Sequence, residues 1–349
     1  MSLDLKKIVE DMTQARGLPG YEGDVANVFV NEMQKMGLKT DIDGIGNATA
    51  YLGEKDSPRI MVTAHMDEVG LIVTRVSDDG AVRFTRMGGL DPRILPGSKV
   101  KVYTGSGALT GVVGAKPPHI LTAQEKKKSL MFDDMYIDMG MPADKVKQIV
   151  RVGDTASIYG PVTQLSHDRL AAKTMDDRAC LAALCLCAEQ LKDVKLPGQV
   201  CFTGACQEEN GSKGATTAAY RLNPDLAIVI DVTHGATPDC RPQDTFPLDK
   251  VVMSVGPNIH HKMHERIMQT ADKNGISVME CACSGATGTD AEVTQVTRLG
   301  IPTVLVELPL KYMHTSVEVF EVKTLRECAR LMSCFVRDIL NDWGSIQWQ

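Results

Sequence analysis

Two adjacent carboxylates, Glu208 and Glu209, stand between an apolar run and a glycine-bounded segment. The run is Gln199-Val200-Cys201-Phe202-Thr203, and the segment is Gly211 to Tyr220. The first reads as a buried strand, the second as a helix over about 211–220. Acids at the carboxyl end of a buried strand lie where open α/β sheets place their chemistry. Neighbouring residues at a strand end point different ways, so one acid can bind a metal while the other moves a proton. An isolated Glu-Glu pair is more often a solvated turn. The rest of the chain decides between these readings.

Four other places carry metal-ligating side chains. His65 and Asp67 follow the apolar run 59–64, and Asp176 and Asp177 open a helix expected from about 177. Asp231 closes an expected strand over 226–230, and His314 comes after a strand at 303–307 and the segment 309–313. Alone, each has an ordinary explanation: a satisfied buried histidine, a helix cap, a strand-end turn, a loop histidine. Their recurrence at strand ends and a helix start changes the weighing. Imidazole with carboxylate suits zinc, cobalt or manganese. Two histidines and three carboxylates are enough for two cations if one carboxylate bridges, and such hydrolytic pairs sit roughly 3.5–4 Å apart. Asp67, two residues after His65, is suited to orienting that imidazole.

A rival pair, His260 and His264, has one-turn helical spacing. The His-Glu-x-x-His mechanism needs an acid directly after the first histidine, but His261 stands there, followed by Lys262, so this stretch reads as a solvated helix start. Gly285 to Asp290 is glycine-rich but lacks the lysine of a phosphate loop, and reads as a close-approach loop beside the site. No Gly-x-Ser-x-Gly elbow is present.

Stepping from these residues to the elements that carry them, helices are expected near 3–16, 22–36, 177–191, 211–220, 260–274 and 320–341. Strands are expected at 40–43, 48–52, 59–64, 199–203, 226–230, 250–254, 277–281 and 303–307. Alternation of this kind implies an α/β/α sandwich with a mostly parallel central sheet. Between about Gly70 and Gly160 the texture changes to short β-rich runs, broken by Gly, Pro and Asp, with one short helix over 144–149. The chain therefore reads as one α/β domain, residues 1–69 and 165–349, interrupted by an all-β barrel or sandwich at 70–164.

Composition narrows the function classes. The chain has 349 residues, 43% hydrophobic and 23% charged, with net charge −6. It has no basic block, which argues against nucleic-acid binding, and the charge run 124–128 reads as a solvated loop. No apolar run approaches the roughly 20 residues that span a bilayer, and Met1 to Lys7 lacks an apolar signal core. The ten cysteines include no C-x-x-C pair and read as reduced, mostly buried thiols of a cytoplasmic protein.

Taken in order, Ala64-His65-Met66-Asp67-Glu68-Val69-Gly70, Met175-Asp176-Asp177-Arg178, Gln207-Glu208-Glu209, Ile230-Asp231, Gly288-Thr289-Asp290-Ala291 and Tyr312-Met313-His314-Thr315 resemble the tetrahedral (glutamyl/leucyl) aminopeptidase family of co-catalytic metallopeptidases. Some of its members have carried the label cellulase or endoglucanase. The resemblance spans nearly the whole chain. It implies a zinc-peptidase-like fold, a PDZ-like inserted barrel that mediates dimerisation, and dimers that assemble into tetrahedral dodecamers. It implies two divalent cations per subunit, zinc or cobalt with manganese as a further option, and short peptides as substrates. His65, Glu209, Asp231 and His314 resemble the terminal ligands, and Asp176 the bridging ligand. Glu208 resembles the general base acting on a metal-activated bridging water, and Asp67 the residue that orients His65. The competing functions are glycoside hydrolysis, which needs two carboxylates and no metal, and a catalytically silent scaffold.

Overall fold

The computed structural model describes residues 3–54, 58–346 and 348. Met1 and Ser2, part of the stretch expected to lack a signal core, lie outside them. The chain divides into two compact units: Met1–Asp67, Pro161–Met313 and Val317–Gln349 form one, and Glu68–Gly160 with His314–Ser316 the other.

The first unit is built on an eight-stranded sheet. Its spatial order is Lys39–Ile42, Ala48–Leu52, Gln199–Ala205, Arg59–His65, Leu226–His234, Thr303–Leu310, Val251–Val255, Val278–Ala282. Four of the seven neighbouring pairs are parallel. The central strands are buried on both faces, as covering helices require. Alternation sorts their side chains. Ile60, Val62, Val200, Phe202, Ile228, Ile230, Val304 and Val306 enter the main core with the helices Leu5–Gln14, Met175–Leu191 and Val322–Asn341. On the other face Met61, Cys201 and Ala227 meet the helix Lys213–Leu222, and Val229 and Leu305 meet Ala291 of the short helix Ala291–Gln295. The helix Met175–Leu191 is buried along nearly its whole length. Small residues there, including Ala182, Ala183 and Cys185, let neighbouring elements approach closely.

Several element boundaries differ from expectation. The strand carrying Asp231 does not end there but runs on to His234, because its pairing with the next strand continues to His234 opposite Leu310. That neighbouring strand likewise runs to Leu310. The expected helix from 320 is preceded by a strand, Glu318–Glu321, which joins Thr163–Leu165 and Arg169–Ala172 in a small antiparallel sheet. His264 is not solvated: it is buried on the helix His261–Lys273, with Nε2 2.9 Å from Glu280 Oε1.

The second unit is a closed antiparallel barrel. Around it run Gly70–Val76, Val82–Met87, Met135–Asp138, Gly107–Ala115, Lys99–Thr104 and Thr155–Ile158. Leu71, Val73, Val82, Phe84, Val100, Val102, Val113 and Ile137 fill its interior. The β-rich runs expected here lie at 71–74, 81–84, 99–103, 109–113 and 155–158, and the strand Met135–Asp138 is an addition to them. The expected short helix spans Ala143–Ile149.

Candidate active site

Three adjacent parallel strands bring the first group of side chains together. Ala205 lies opposite His65, and Thr63 opposite Val229. Extending that register by two residues sets Asp231 level with His65, so the imidazole and the carboxylate stand at the same height on neighbouring strands. Asp176 and Asp177 come from the entry to the helix Met175–Leu191, where both depart from helical dihedrals after Thr174 at φ 61°. Glu318 of the small sheet holds this entry, its Oε2 accepting the Asp176 N–H at 3.0 Å. The peptide bond joining Asp176 to Asp177 is cis.

Two groups of ligating atoms, each within 4.8 Å of one another, share His65: His65, Asp177 and Asp231, and His65, Asp176 and Glu209. His65 is buried, with Nε2 3.0 Å from Asp176 Oδ1 and Nδ1 3.4 Å from Asp67 Oδ1. Its backbone N–H donates to Asp177 Oδ2 at 3.2 Å. Asp67 is wholly buried and accepts from the turn that follows the strand Gln199–Ala205: Oδ1 takes the Glu208 N–H at 2.8 Å and Oδ2 the Glu209 N–H at 3.0 Å. One carboxylate thus contacts both the imidazole and the Glu208-Glu209 pair.

The field at this place is strongly negative. Burial, together with neighbouring carboxylates, pushes Asp177 and Asp231 well above the usual carboxylate range. Burial lifts Glu208 to about 8 and Asp290 to about 7. Burial opposes a charged His65, yet Asp176 and Asp67 outweigh it and hold the imidazole well above its ordinary value. So many acids in a low-dielectric pocket ionise together only when positive charge joins them. The donor set, imidazole with carboxylates, is one that zinc, cobalt and manganese accept. The residues present fit divalent cations.

Of the expected site residues, His65, Asp67, Asp176, Glu208, Glu209 and Asp231 converge in the first unit. His314 belongs to the second unit and enters neither of the two groups. It is half-buried, at φ 62°, with Nδ1 2.9 Å from the Gly89 carbonyl oxygen. Sequence reasoning gave Asp177 only the opening of a helix, yet it stands in one of the two ligand groups. Its neighbour Asp176 was the acid chosen, and nothing in the local sequence separates the two. Glycine is required at position 214, because a Cβ there would come 2.2 Å from the Cys206 carbonyl oxygen. That contact packs the helix Lys213–Leu222 directly against the Glu208-Glu209 turn.

Residues 46–331 match the model of a peptidase family described as M42 glutamyl aminopeptidase. This chain belongs to the M42 family. Its relatives include a lysyl aminopeptidase of Pyrococcus furiosus, 31% identical over 340 residues that cover 96% of each chain. Among solved structures, a TET aminopeptidase from a marine sediment archaeon, Thaumarchaeota archaeon SCGC AB-539-E09, superposes with a TM-score of 0.91 at 28% identity. That match covers 95% of this chain and 96% of the other. A Pyrococcus horikoshii TET1 peptidase, which can assemble into a tetrahedron or a large octahedral shell, superposes at 0.84 and 29% identity, covering 95% and 99%. The M42 chain is therefore an aminopeptidase-type hydrolase, with a candidate metal-binding cluster at the carboxyl ends of its central strands. No helix among the described residues is long and apolar enough to cross a membrane.

Proposed function

We propose that this chain is a di-metal aminopeptidase that releases N-terminal residues from short peptides. The observation that carries the reading is the pair of ligand groups hinged on His65, with Glu208 beside them. His65, Asp176, Glu209 and Asp231 would hold the cations, and the motif resemblance makes Asp176 the ligand they would share. The motif resemblance adds His314. When bound, the two cations supply Lewis-acid activation of water and of the scissile carbonyl.

The chain's own residues do the rest. Glu208, half-buried and lifted toward neutrality, is suited to accept a proton at a carboxylate oxygen and return it to the leaving amine. Asp67 holds the Glu208 and Glu209 amides while its Oδ1 stands 3.4 Å from His65 Nδ1, which suits it to fixing the imidazole's orientation. The barrel unit is proposed to mediate dimerisation within a homo-oligomer, on the support of the relatives that form TET shells.

The test is a panel of aminoacyl p-nitroanilides assayed after chelation and after adding back zinc, cobalt or manganese, with a soluble glucan as the control substrate. Activity should vanish with chelator and return with cation, on the anilides alone. Chelator-resistant anilide cleavage, or glucan hydrolysis, overturns the proposal.

A further inference from the structure

The turn that follows the strand Gln199–Ala205 carries four consecutive backbone N–H groups, and each donates to a buried side chain from a distant part of the chain. Cys206 N–H reaches Asn47 Oδ1 at 3.0 Å, and Gln207 N–H reaches Glu22 Oε1 at 3.0 Å. Glu208 and Glu209 N–H reach the two oxygens of Asp67 at 2.8 and 3.0 Å. Asp67 belongs to the reading above. Glu22 and Asn47 do not, and no motif in the sequence marks them.

Both are built in. Glu22 is 2% exposed and Asn47 fully buried. The same Glu22 oxygen also accepts the Gly20 N–H at 2.9 Å, tying the turn before the helix Gly23–Lys35 to the Glu208 turn. Asn47 donates through Nδ2 to Asp43 Oδ2 at 2.8 Å and to the Gly214 carbonyl at 3.1 Å, which fixes its amide. Between them Gln207 is held at φ 56°. A residue other than glycine keeps that left-handed conformation only where its surroundings over-determine it. A buried acid that bonds the strained residue directly preceding Glu208 sets where the Glu208 carboxylate points.

We infer that Glu22, seconded by Asn47, is a positioning residue for Glu208: its carboxylate locks the Gln207 amide and thereby aims the proton-accepting side chain. The inference rests on the peptidase reading and goes beyond it. Position, not charge, is the claim, so the amide oxygen of glutamine serves as well.

The decisive measurement compares Glu22→Gln, Glu22→Asp and Glu22→Ala with the wild type for kcat, KM, hydrogen exchange at the Gln207 amide and unfolding midpoint. Loss of an outer partner of a metal or catalytic group typically costs about 10–100-fold. Glu22→Ala should lose about that much in kcat with KM within about threefold, and Glu22→Gln should recover most of it. Glu22→Asp, whose acceptor is drawn back by one methylene, should behave like alanine. If alanine fails to fold, the Gln-against-Asp contrast decides. A Glu22→Gln variant as impaired as Glu22→Asp overturns the inference. So does a folded Glu22→Ala variant with wild-type kcat, or one that loses only unfolding midpoint. A wild type inactive on every anilide sinks the peptidase reading instead. In that case hydrogen exchange at the Gln207 amide, faster in the Asp and Ala variants but not in Gln, still supports the positioning role, and equal exchange in all of them overturns it.

Discussion

The two units of this chain treat polar groups in opposite ways. In the barrel, a closed ring of short strands surrounds Leu71, Val73, Phe84, Val100, Val102 and Ile137, an apolar filling that needs no partner beyond itself. In the sheet unit, the carboxyl ends of the central strands bury Asp67, Asp176, Asp177, Asp231 and Asp290, groups that cost free energy unless something answers their charge. The second arrangement costs stability at the place where the candidate site lies.

The largest expected effect sharpens that contrast. Replacing Glu208 by Gln removes the proposed proton acceptor while keeping size and shape, so turnover should fall about a thousandfold, within the usual span for a general base. Metal content by elemental analysis and the unfolding midpoint should stay near wild type. A variant that keeps comparable turnover removes Glu208 from the role. Next comes the converse change in the barrel. Phe84 is buried and meets Phe132 edge to face, with centroids 6.4 Å apart. Phe84→Ala should cost about 3–5 kcal/mol of unfolding free energy, read by denaturant titration, with kcat per folded molecule unchanged. A drop in kcat without a drop in stability would erase the distinction between the units.

A smaller effect concerns pH. Acids whose pKa is raised by burial keep protons that the unfolded chain has already released above the ordinary carboxylate range. The folded state then binds more protons, so its stability falls as pH rises. With Glu208 lifted to about 8 and Asp290 to about 7, the cation-free protein should lose stability progressively from about pH 4 to about pH 8. Its unfolding midpoint, followed by calorimetry after chelation, should be lower at pH 8 than at pH 5 by at least about 3 °C. Added cobalt should raise the midpoint more at pH 8, because ligands must be deprotonated to bind. A midpoint that climbs with pH in the chelated protein would break the account of the site as a pocket crowded with acids that lack a positive partner.

Much of this was legible in the sequence because it is written locally. Arg59-Ile60-Met61-Val62-Thr63-Ala64 announces a buried strand by composition alone, and His65 follows at its end. The acids gathered at the site also sit beside recognisable apolar runs. What escaped depends on pairing across the chain. Asp231 is followed by Val232, Thr233 and His234, a stretch that looks like an exit from the strand until Leu308 to Leu310 pair with it. Glu22 lies 185 residues from the amide it accepts, and Asn47 lies 159 from its own. His264 looked exposed because the partner of its ring, Glu280, lies 16 residues further on, in the strand Val278–Ala282. Burial of a polar side chain by a remote partner leaves no local pattern to read.

The groups that meet around Glu208 are drawn from residues 22, 47, 65, 67, 176, 209 and 231, and Glu318 steadies one of them. A ribosome delivering this polypeptide from its amino end therefore releases an inert length of chain until most of the message has been translated. A product ending before Glu208 would lack both the residue proposed to accept the proton and the strand that carries Asp231.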